Sequence, residues 1–275
     1  MKKIKSFIKE LWHVLRLPEM LILPGNLAFF IILSIIPIIT LIGVIASFLS
    51  LSTGSFIEFI SGSLPKAVVD ILVPFIDGSI LNPTSFIFIV VGFYAASNGA
   101  DSLITASNTL YKCQNKNYIF RRIKALFMTF WMLILFIFIL VFLAFGSLIL
   151  KSLLNFSIGN FILNNYAVIT MLKLIIAFLF IYLTIKIIYT MAPDITIKSK
   201  YVNRGAILAT IVIMIITSGY SFYVTNIAHY DMLYGSLASL AILMFLIYFI
   251  SYIIVLGIAI NHNYYNLDKI IPDKK

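Results

Sequence analysis

Residues 235–260 have the sequence GSLASLAILMFLIYFISYIIVLGIAI, a stretch without a single charged side chain. A helix needs about 20 mostly apolar residues to cross the ~30 Å hydrocarbon core of a bilayer. Five earlier stretches are also long and mostly apolar, and the six predicted spans are 27–51, 85–110, 125–150, 167–190, 205–228 and 235–260. With 62% hydrophobic and 11% charged residues, the chain is predicted to be an all-α polytopic membrane protein, with six transmembrane helices in one bundle.

The positive charges predict how the chain is oriented in the membrane. Of the 20 Lys and Arg residues, five precede the first span, five lie between spans two and three, three lie between spans four and five, and three follow span six. The opposite loops hold only Lys66 and Lys151. Because cytoplasmic loops carry the excess of Lys and Arg, both termini are predicted to be cytoplasmic. The net charge of +10 is then explained by attraction to the anionic inner leaflet rather than by nucleic-acid binding.

The rest of the chain is divided around these spans. Residues 1–24 are predicted to form a cytoplasmic amphipathic helix on the membrane surface, since their apolar residues recur at spacings of three and four. Pro18 and Pro24-Gly25 are expected to break the chain before span one. Residues 25–262 make the transmembrane domain and 263–275 a cytoplasmic tail. The long external segment, 52–83, is either interfacial or re-entrant.

Span two carries a stripe of polar residues. They follow i, i+3, i+7 and i+10 spacing, which places them on one face of a helix: Asn98, Asp101, Thr105 and Asn108. An ionised carboxylate near the bilayer middle costs at least ~2.5–3.5 kcal/mol, so Asp101 must be protonated, paired or in contact with water. Two interpretations stay open. The stripe either holds neighbouring helices together, at ~0.6 kcal/mol per polar contact, or lines a polar pathway.

Span four holds two basic residues within its apolar stretch, Lys173 and Lys186. In the simpler interpretation both side chains extend to the lipid headgroups. In the sharper one, a lysine pairs with Asp101, and Lys186 fits better because both residues lie in the cytoplasmic half of the membrane. With the stripe of span two, these lysines complete the set of candidate substrate-pathway residues.

Little in the sequence is typical of a soluble enzyme. The three histidines are isolated, and one cysteine, Cys113, cannot form an internal disulfide or a cysteine-based metal cluster. There is no phosphate-binding loop and no GxSxG motif. We therefore expect no catalytic residue, metal site or cofactor, no nucleic-acid partner, and membrane lipids as partners. The oligomeric state stays open, a homo-oligomer included.

Four short motifs, taken in order, resemble the YihY/BrkB family of bacterial inner-membrane proteins. They are GNLAFFIILSIIP ending at Pro37, the stretch 97–111 ending NTLY, the MAPD turn with Pro193, and YGSL at Tyr234 and Gly235. The resemblance covers about residues 10–265 and implies a six-helix, multi-pass protein of the bacterial inner membrane. Ala238, where the family usually has glycine, and Phe29-Phe30, where it has a tyrosine pair, are mild departures.

The family resemblance implies transport without naming a substrate. Members have carried an old ribonuclease label, which these residues do not support, and others have been linked to envelope lipid traffic, serum resistance or solute transport. The leading hypothesis is a transporter or flippase-like protein that moves a lipid or small amphiphilic solute through a central polar cavity. Asn98, Asp101 and Asn108 are expected to line the cavity, and Lys173 or Lys186 to meet an anionic group. The alternatives are a non-transporting membrane scaffold for envelope assembly and, third, a membrane-embedded enzyme.

Overall fold

A computed structural model describes residues 11–48, 83–113, 117–134, 166–226 and 236–270, together with residues 54, 57, 61, 69 and 73. These residues form helices and the turns between them, with no strand in the described part, so the all-α prediction is confirmed. The long helices are α1 (Glu19–Phe48), α2 (Pro83–Leu110), α3 (described over residues 118–134), α4 (Tyr166–Met191), α5 (Asn203–Asn226) and α6 (Ser236–Ile270).

Within the described residues, three helices are long and apolar enough to cross a membrane. Their spanning stretches are Leu174–Met191 of α4, Asn203–Tyr223 of α5 and Leu240–Tyr265 of α6. The 35 residues of α6 make a helix of about 52 Å, which is longer than a ~30 Å hydrocarbon core. The helix is therefore longer than a single crossing requires, and it ends ten residues after the predicted span.

The predicted break at Pro18 is confirmed, because residues 16–18 are not helical and α1 begins at Glu19. The predicted break at Pro24-Gly25 is wrong, because α1 continues through both residues. The first four N–H groups of any helix lack an intrahelical partner, so a proline in the second turn removes a single hydrogen bond close to the helix start. Membrane helices tolerate such prolines because neighbouring groups satisfy the freed carbonyl. Pro37 also lies within α1, and its side chain is outside the described residues.

Several helix ends meet at one end of the bundle through aromatic contacts. Tyr111, directly after α2, has its ring centre 5.2 Å from that of His262 and 6.1 Å from that of Tyr265, both in α6. The Tyr265 ring lies 5.5 Å from Tyr201 in the connection between α4 and α5. The end of α2, the α4–α5 connection and the last turns of α6 therefore share one end of the molecule.

The helices α4, α5 and α6 come close together at a pair of glycines. The Gly205 N–H of α5 donates a hydrogen bond to the Asn261 side chain of α6 at 2.8 Å. A Cβ atom at Gly205 would overlap the carbonyl oxygen of Gly257, and a Cβ atom at Gly257 would overlap the Tyr189 hydroxyl. That hydroxyl donates to the Ile254 carbonyl oxygen at 2.8 Å. Small residues of this kind let membrane helices pack closely, which is the main source of their association.

Gly205→Ala and Gly257→Ala are each expected to lower the free energy of unfolding by about 1–3 kcal/mol, since the added methyl group must displace backbone or the Tyr189 ring. Gly219→Ala, also in α5, is the matched control because a Cβ atom there meets nothing within 4 Å. Thermal unfolding in detergent, followed by gel filtration, measures the difference. Unchanged melting temperatures in the first two variants would contradict the close packing.

Candidate functional site

The polar stripe of α2 faces the first turns of α3. The Asp101 carboxylate pairs with Arg121, with 2.8 Å between Nε and Oδ1, and both side chains are 21% exposed. The Asn98 side-chain oxygen accepts a hydrogen bond from Arg122 Nη1 at 2.9 Å. Arg122 Nη2 donates to the Tyr94 carbonyl oxygen at 2.8 Å, and the guanidinium carbon lies 3.7 Å from the centre of the Tyr94 ring. We call these five residues the arginine cluster.

The position of the two arginines explains why Asp101 is needed. Residues 121 and 122 lie within the first turns of α3, where the Arg121 N–H bonds to the carbonyl oxygen of Asn117. Cations are unfavourable near a helix N-terminus, which already carries a partial positive charge. The carboxylate of Asp101 offsets both the Arg121 charge and this end of the helix dipole. The ion pair therefore offsets the unfavourable position of Arg121 near the N-terminus of α3, which α3 alone would not stabilise.

Arg122 is a buried cation, only 9% exposed. Its contacts in the described residues are an amide oxygen, a carbonyl oxygen and an aromatic ring, all of them neutral groups. Its Nε atom is buried and has no hydrogen-bond partner in that part of the chain. Since Asp101 is paired with Arg121, the arginine cluster holds two guanidinium groups and one carboxylate, and so keeps one positive charge.

A second set of polar contacts joins α2 and α3 to the turn after α4. The Asn108 amide donates to Asp194 Oδ2 at 2.7 Å, and its oxygen accepts from the Asp194 backbone N–H at 2.8 Å. Lys124 Nζ donates to Asp194 Oδ1 at 2.7 Å and to the carbonyl oxygens of Ala192 and Pro193 at 2.8 and 2.9 Å. The Asp194 side chain is 4% exposed. We call Asn108, Lys124 and Asp194 the Lys124 cluster, and it connects three helices at one place.

The end of α2 prepares Asn108 for this role. Lys112 adopts a left-handed conformation, with φ of 53°. Its N–H bonds to the Thr109 carbonyl at 3.2 Å, and the Cys113 N–H bonds to the Asn108 carbonyl at 2.9 Å. This pair of bonds is the Schellman motif, which satisfies the last carbonyl groups of a helix. The Asn108 backbone therefore ends α2 while its side chain remains available for Asp194.

The thiol of Cys113 lies beside the Lys124 cluster, outside the spanning helices. Burial raises the pKa of the Cys113 thiol, and the negative charge of Asp194 raises it further while Lys124 opposes the shift. The thiol is thus kept in its protonated, less nucleophilic form at neutral pH. No group of three or more His, Cys, Asp and Glu residues in the described part of the chain is placed to hold a metal ion.

Of the two interpretations given for the lysines of span four, the pair between Asp101 and Lys186 is wrong, because Asp101 is bound to Arg121. The Lys186 ammonium instead lies 5.5 Å from the centre of the Tyr182 ring, one turn earlier on α4. Thr105 donates to the Asp101 carbonyl oxygen at 2.9 Å, a bond within its own helix. The side chain of Lys173 lies outside the described residues.

Of the residues that the sequence motifs emphasise, Pro193 contributes a carbonyl oxygen to Lys124. Tyr234 and Gly235 lie outside the part of the chain that the structure describes, as does most of the predicted external segment 52–83. A structural role for Tyr234 and Gly235 stays a prediction.

The partners of the stripe are Arg121, Arg122 and Asp194, and Lys124 is connected to it through Asp194. Sequence reasoning misses them, since it assigns the basic residues of 111–124 to a loop. A signal for them was present. The loop between spans two and three is short, so α3 must lie next to α2, and three of its first residues are basic. A polar stripe on one helix and basic residues at the start of its neighbour are complementary.

A cavity of about 340 Å³ lies among α1, α2, α3, α4 and α6. Its walls are mostly apolar, and α2 contributes small or apolar residues to them: Ala96, Gly99, Ala100 and Leu103. By helical geometry these lie on the opposite face of α2 from Asn98 and Asp101. The predicted pathway residues therefore do not line this cavity. The Thr184 hydroxyl, which belongs to its wall, is buried and unbonded among the described residues.

One face of α3 connects the arginine cluster with the cavity. Arg122, Thr129 and Leu133 follow i, i+7 and i+11 spacing, so their side chains share that face. Thr129 and Leu133 line the cavity. Arg122 precedes Thr129 by about 10 Å along the helix axis. A buried positive charge thus lies about two turns away from an apolar space.

Residues 18–273 match the family described as Virulence factor BrkB. The chain belongs to this family. The ribonuclease-like protein YfkH of Bacillus subtilis (strain 168) is 27% identical over 278 residues, which covers 98% of both chains. A UPF0761 membrane protein of Aeromonas salmonicida (strain A449) is 25% identical over 260 residues, 91% of this chain and 86% of the relative. No solved structure matches the chain. The family resemblance is confirmed, and the protein is a bacterial membrane protein.

Lys124→Met and Asp194→Asn are each expected to lower the free energy of unfolding by about 3 kcal/mol, because one partner of a largely buried pair is left without the other. The double variant is expected to lose less than the sum, with a coupling of at least about 1 kcal/mol. Unfolding by SDS titration measures all three, with the exposed Lys198→Met as control. Additive losses would show that the two side chains do not interact.

Proposed function

We propose that this BrkB-family protein moves an amphiphilic molecule, a lipid or a small organic solute, across the bacterial inner membrane. One observation carries the proposal: a single face of α3 joins an apolar cavity to a buried arginine. An amphiphile has the matching parts, since its chain fits apolar walls and its charged head fits a guanidinium group. The pathway therefore combines the cavity with the arginine cluster, instead of following the polar stripe alone.

The size and lining of the cavity support this role. Ligand pockets are concave, mostly apolar and about 300–1,000 Å³ in volume, with a few polar groups that orient the ligand. The cavity of about 340 Å³ fits that description, with the hydroxyls of Ser34, Thr129 and Thr184 as its polar groups. Ser34 is held between α1 and α2 by bonds to the Phe30 and Ala96 carbonyl oxygens at 2.6 and 3.2 Å.

The proposal includes a six-span topology with both termini in the cytoplasm. Its support is the excess of Lys and Arg in alternate loops. The meeting of the end of α2, the α4–α5 connection and the last turns of α6 is what such alternation requires. On this topology Asp101 and its partner Arg121 lie in the cytoplasmic half of the membrane. The proposal assigns no catalytic role to any residue.

A scaffold without transport activity is the second candidate. The observation that favours it is an open apolar groove of about 470 Å³ between α1 and α6, whose lining includes Phe29, Phe245 and Tyr248. Such a groove suits a helix of another membrane protein as well as lipid chains. A scaffold would need the groove and not the cavity, so the two functions respond differently to changes in the cavity.

Filling the cavity is expected to slow transport. The assay uses purified protein in liposomes that carry fluorescent phosphatidylglycerol, and dithionite added outside bleaches only the lipid in the outer leaflet. A protein that moves the lipid between leaflets is expected to speed the bleaching of the inner-leaflet fraction. Ala100→Phe fills the cavity and is expected to reduce this rate by about tenfold or more, a barrier increase of about 1.4 kcal/mol. Gly99→Ala, whose Cβ atom would lie 3.5 Å from Ser34 Oγ, is expected to have a smaller effect without misfolding.

Gly219→Ala is the control, since it adds the same methyl group outside the cavity. Protein-containing liposomes that bleach no faster than empty ones would argue against lipid transport and favour the scaffold. A folded Ala100→Phe variant with the wild-type rate would show that the cavity is not the pathway.

A further inference from the structure

We propose that Arg121 and Arg122 form a binding site for a phosphate group with one negative charge, the chemistry of a phosphodiester. In this structure Asp101 forms an ion pair with Arg121. The buried Nε of Arg122 has no hydrogen-bond acceptor among the described residues. The proposal deepens the transport function by naming the class of headgroup. The claim that this phosphate group is transported rests on the proposed function. The claim that it binds to the two arginines does not, because binding requires no transport.

The first support is that Arg122 has no hydrogen-bonded or ion-paired carboxylate among the described residues. A guanidinium group has five N–H donors. Two bonds to neutral oxygens use Nη1 and Nη2 of Arg122, and its Nε, also buried, has no acceptor in the described residues. Burying a charge without a counter-charge is costly in a membrane protein, and such residues commonly serve substrates or ions. An added anion would compensate both the charge and the free donor.

The second support is that Arg121 can be reached. Arg121 and Asp101 are each 21% exposed, so their ion pair is not sealed inside the bundle. An arriving phosphate competes with Asp101 for Arg121 and gains Arg122 beside it. Adjacent positions in the first turns of α3 also place both arginines near the positive end of the helix dipole, which favours anions. In the absence of ligand, the Asp101 carboxylate thus takes the place of the phosphate at Arg121.

The number of charges favours a phosphodiester. Two guanidinium groups and one carboxylate leave one positive charge, which a singly charged anion neutralises. Arginine binds phosphate oxygens through paired N–H groups, and this geometry suits phosphate better than it suits a spherical anion. The apolar residues on the same turns of α3 are exposed: Ile119, Phe120 and Ile123. Exposed apolar residues beside the site suit the acyl chains of a phospholipid more than water.

Equilibrium binding, measured by native mass spectrometry of the purified protein in detergent, tests the site independently of transport. The first probe is phosphatidylglycerol, and the second is glycerophosphoglycerol, the same headgroup without acyl chains. Arg122→Gln is expected to weaken binding by about tenfold or more. Arg204→Gln removes the same charge from an exposed arginine of α5, stacked 3.8 Å from the centre of the Tyr264 ring, and is expected to leave binding unchanged.

The Asp101→Asn variant distinguishes a loss of the binding site from a folding defect. It frees Arg121, so it is expected to tighten binding several-fold, and a misfolded protein does not gain affinity. Binding of both probes with similar affinity would mean that a soluble phosphodiester is the ligand, and binding of the lipid alone would identify a phospholipid headgroup. Absence of binding by either probe, or equal losses in Arg122→Gln and Arg204→Gln, would overturn the proposal. Binding without transport would reject only the proposed function.

Discussion

A guanidinium group buried between two helices must find acceptors within them, and Arg122 is such a group. Its bonds to the Asn98 side chain and the Tyr94 carbonyl fix how α3 lies against α2. Once that register is set, Arg121 falls against Asp101, and Lys124 reaches Asp194 beyond the end of α4. Polar contacts thus act together with close packing in arranging these helices, because the hydrophobic effect contributes little to helix association within lipid.

The same arrangement separates polar from apolar space. One face of α2 carries Asn98 and Asp101 toward the arginines, and the opposite face lines the cavity through Gly99 and Ala100. α2 contributes to the two environments from opposite faces, whereas α3 contributes to both from one face, which Arg122 and Thr129 share. A molecule with a charged head and an apolar chain is complementary to this pair of environments. Neither environment alone would distinguish an amphiphile from a plain ion or a plain hydrocarbon.

Much of the fold could be predicted from the sequence, because apolar length is a strong and local signal. The predicted span 167–190 and the helix Tyr166–Met191 differ by one residue at each end. The stripe of α2 was also predictable, since helical spacing alone defines a face. Its partner was not. Depth in the membrane made Lys186 a reasonable partner for Asp101, but depth does not tell which neighbouring helix faces the stripe. The long side chain of Arg121, placed in a loop by charge counting, reached the same carboxylate from α3.

The central claim is that Asp101, in the stripe of α2, pairs with Arg121 of α3 and not with Lys186 of α4. A charge-swap comparison tests it most directly, with the yield of monodisperse, folded protein from gel filtration as the readout. Asp101→Lys alone should lower that yield, and adding Arg121→Asp should restore most of it. Adding Lys186→Asp instead should restore nothing, because Lys186 lies against Tyr182. Rescue by Lys186→Asp without rescue by Arg121→Asp would contradict this account.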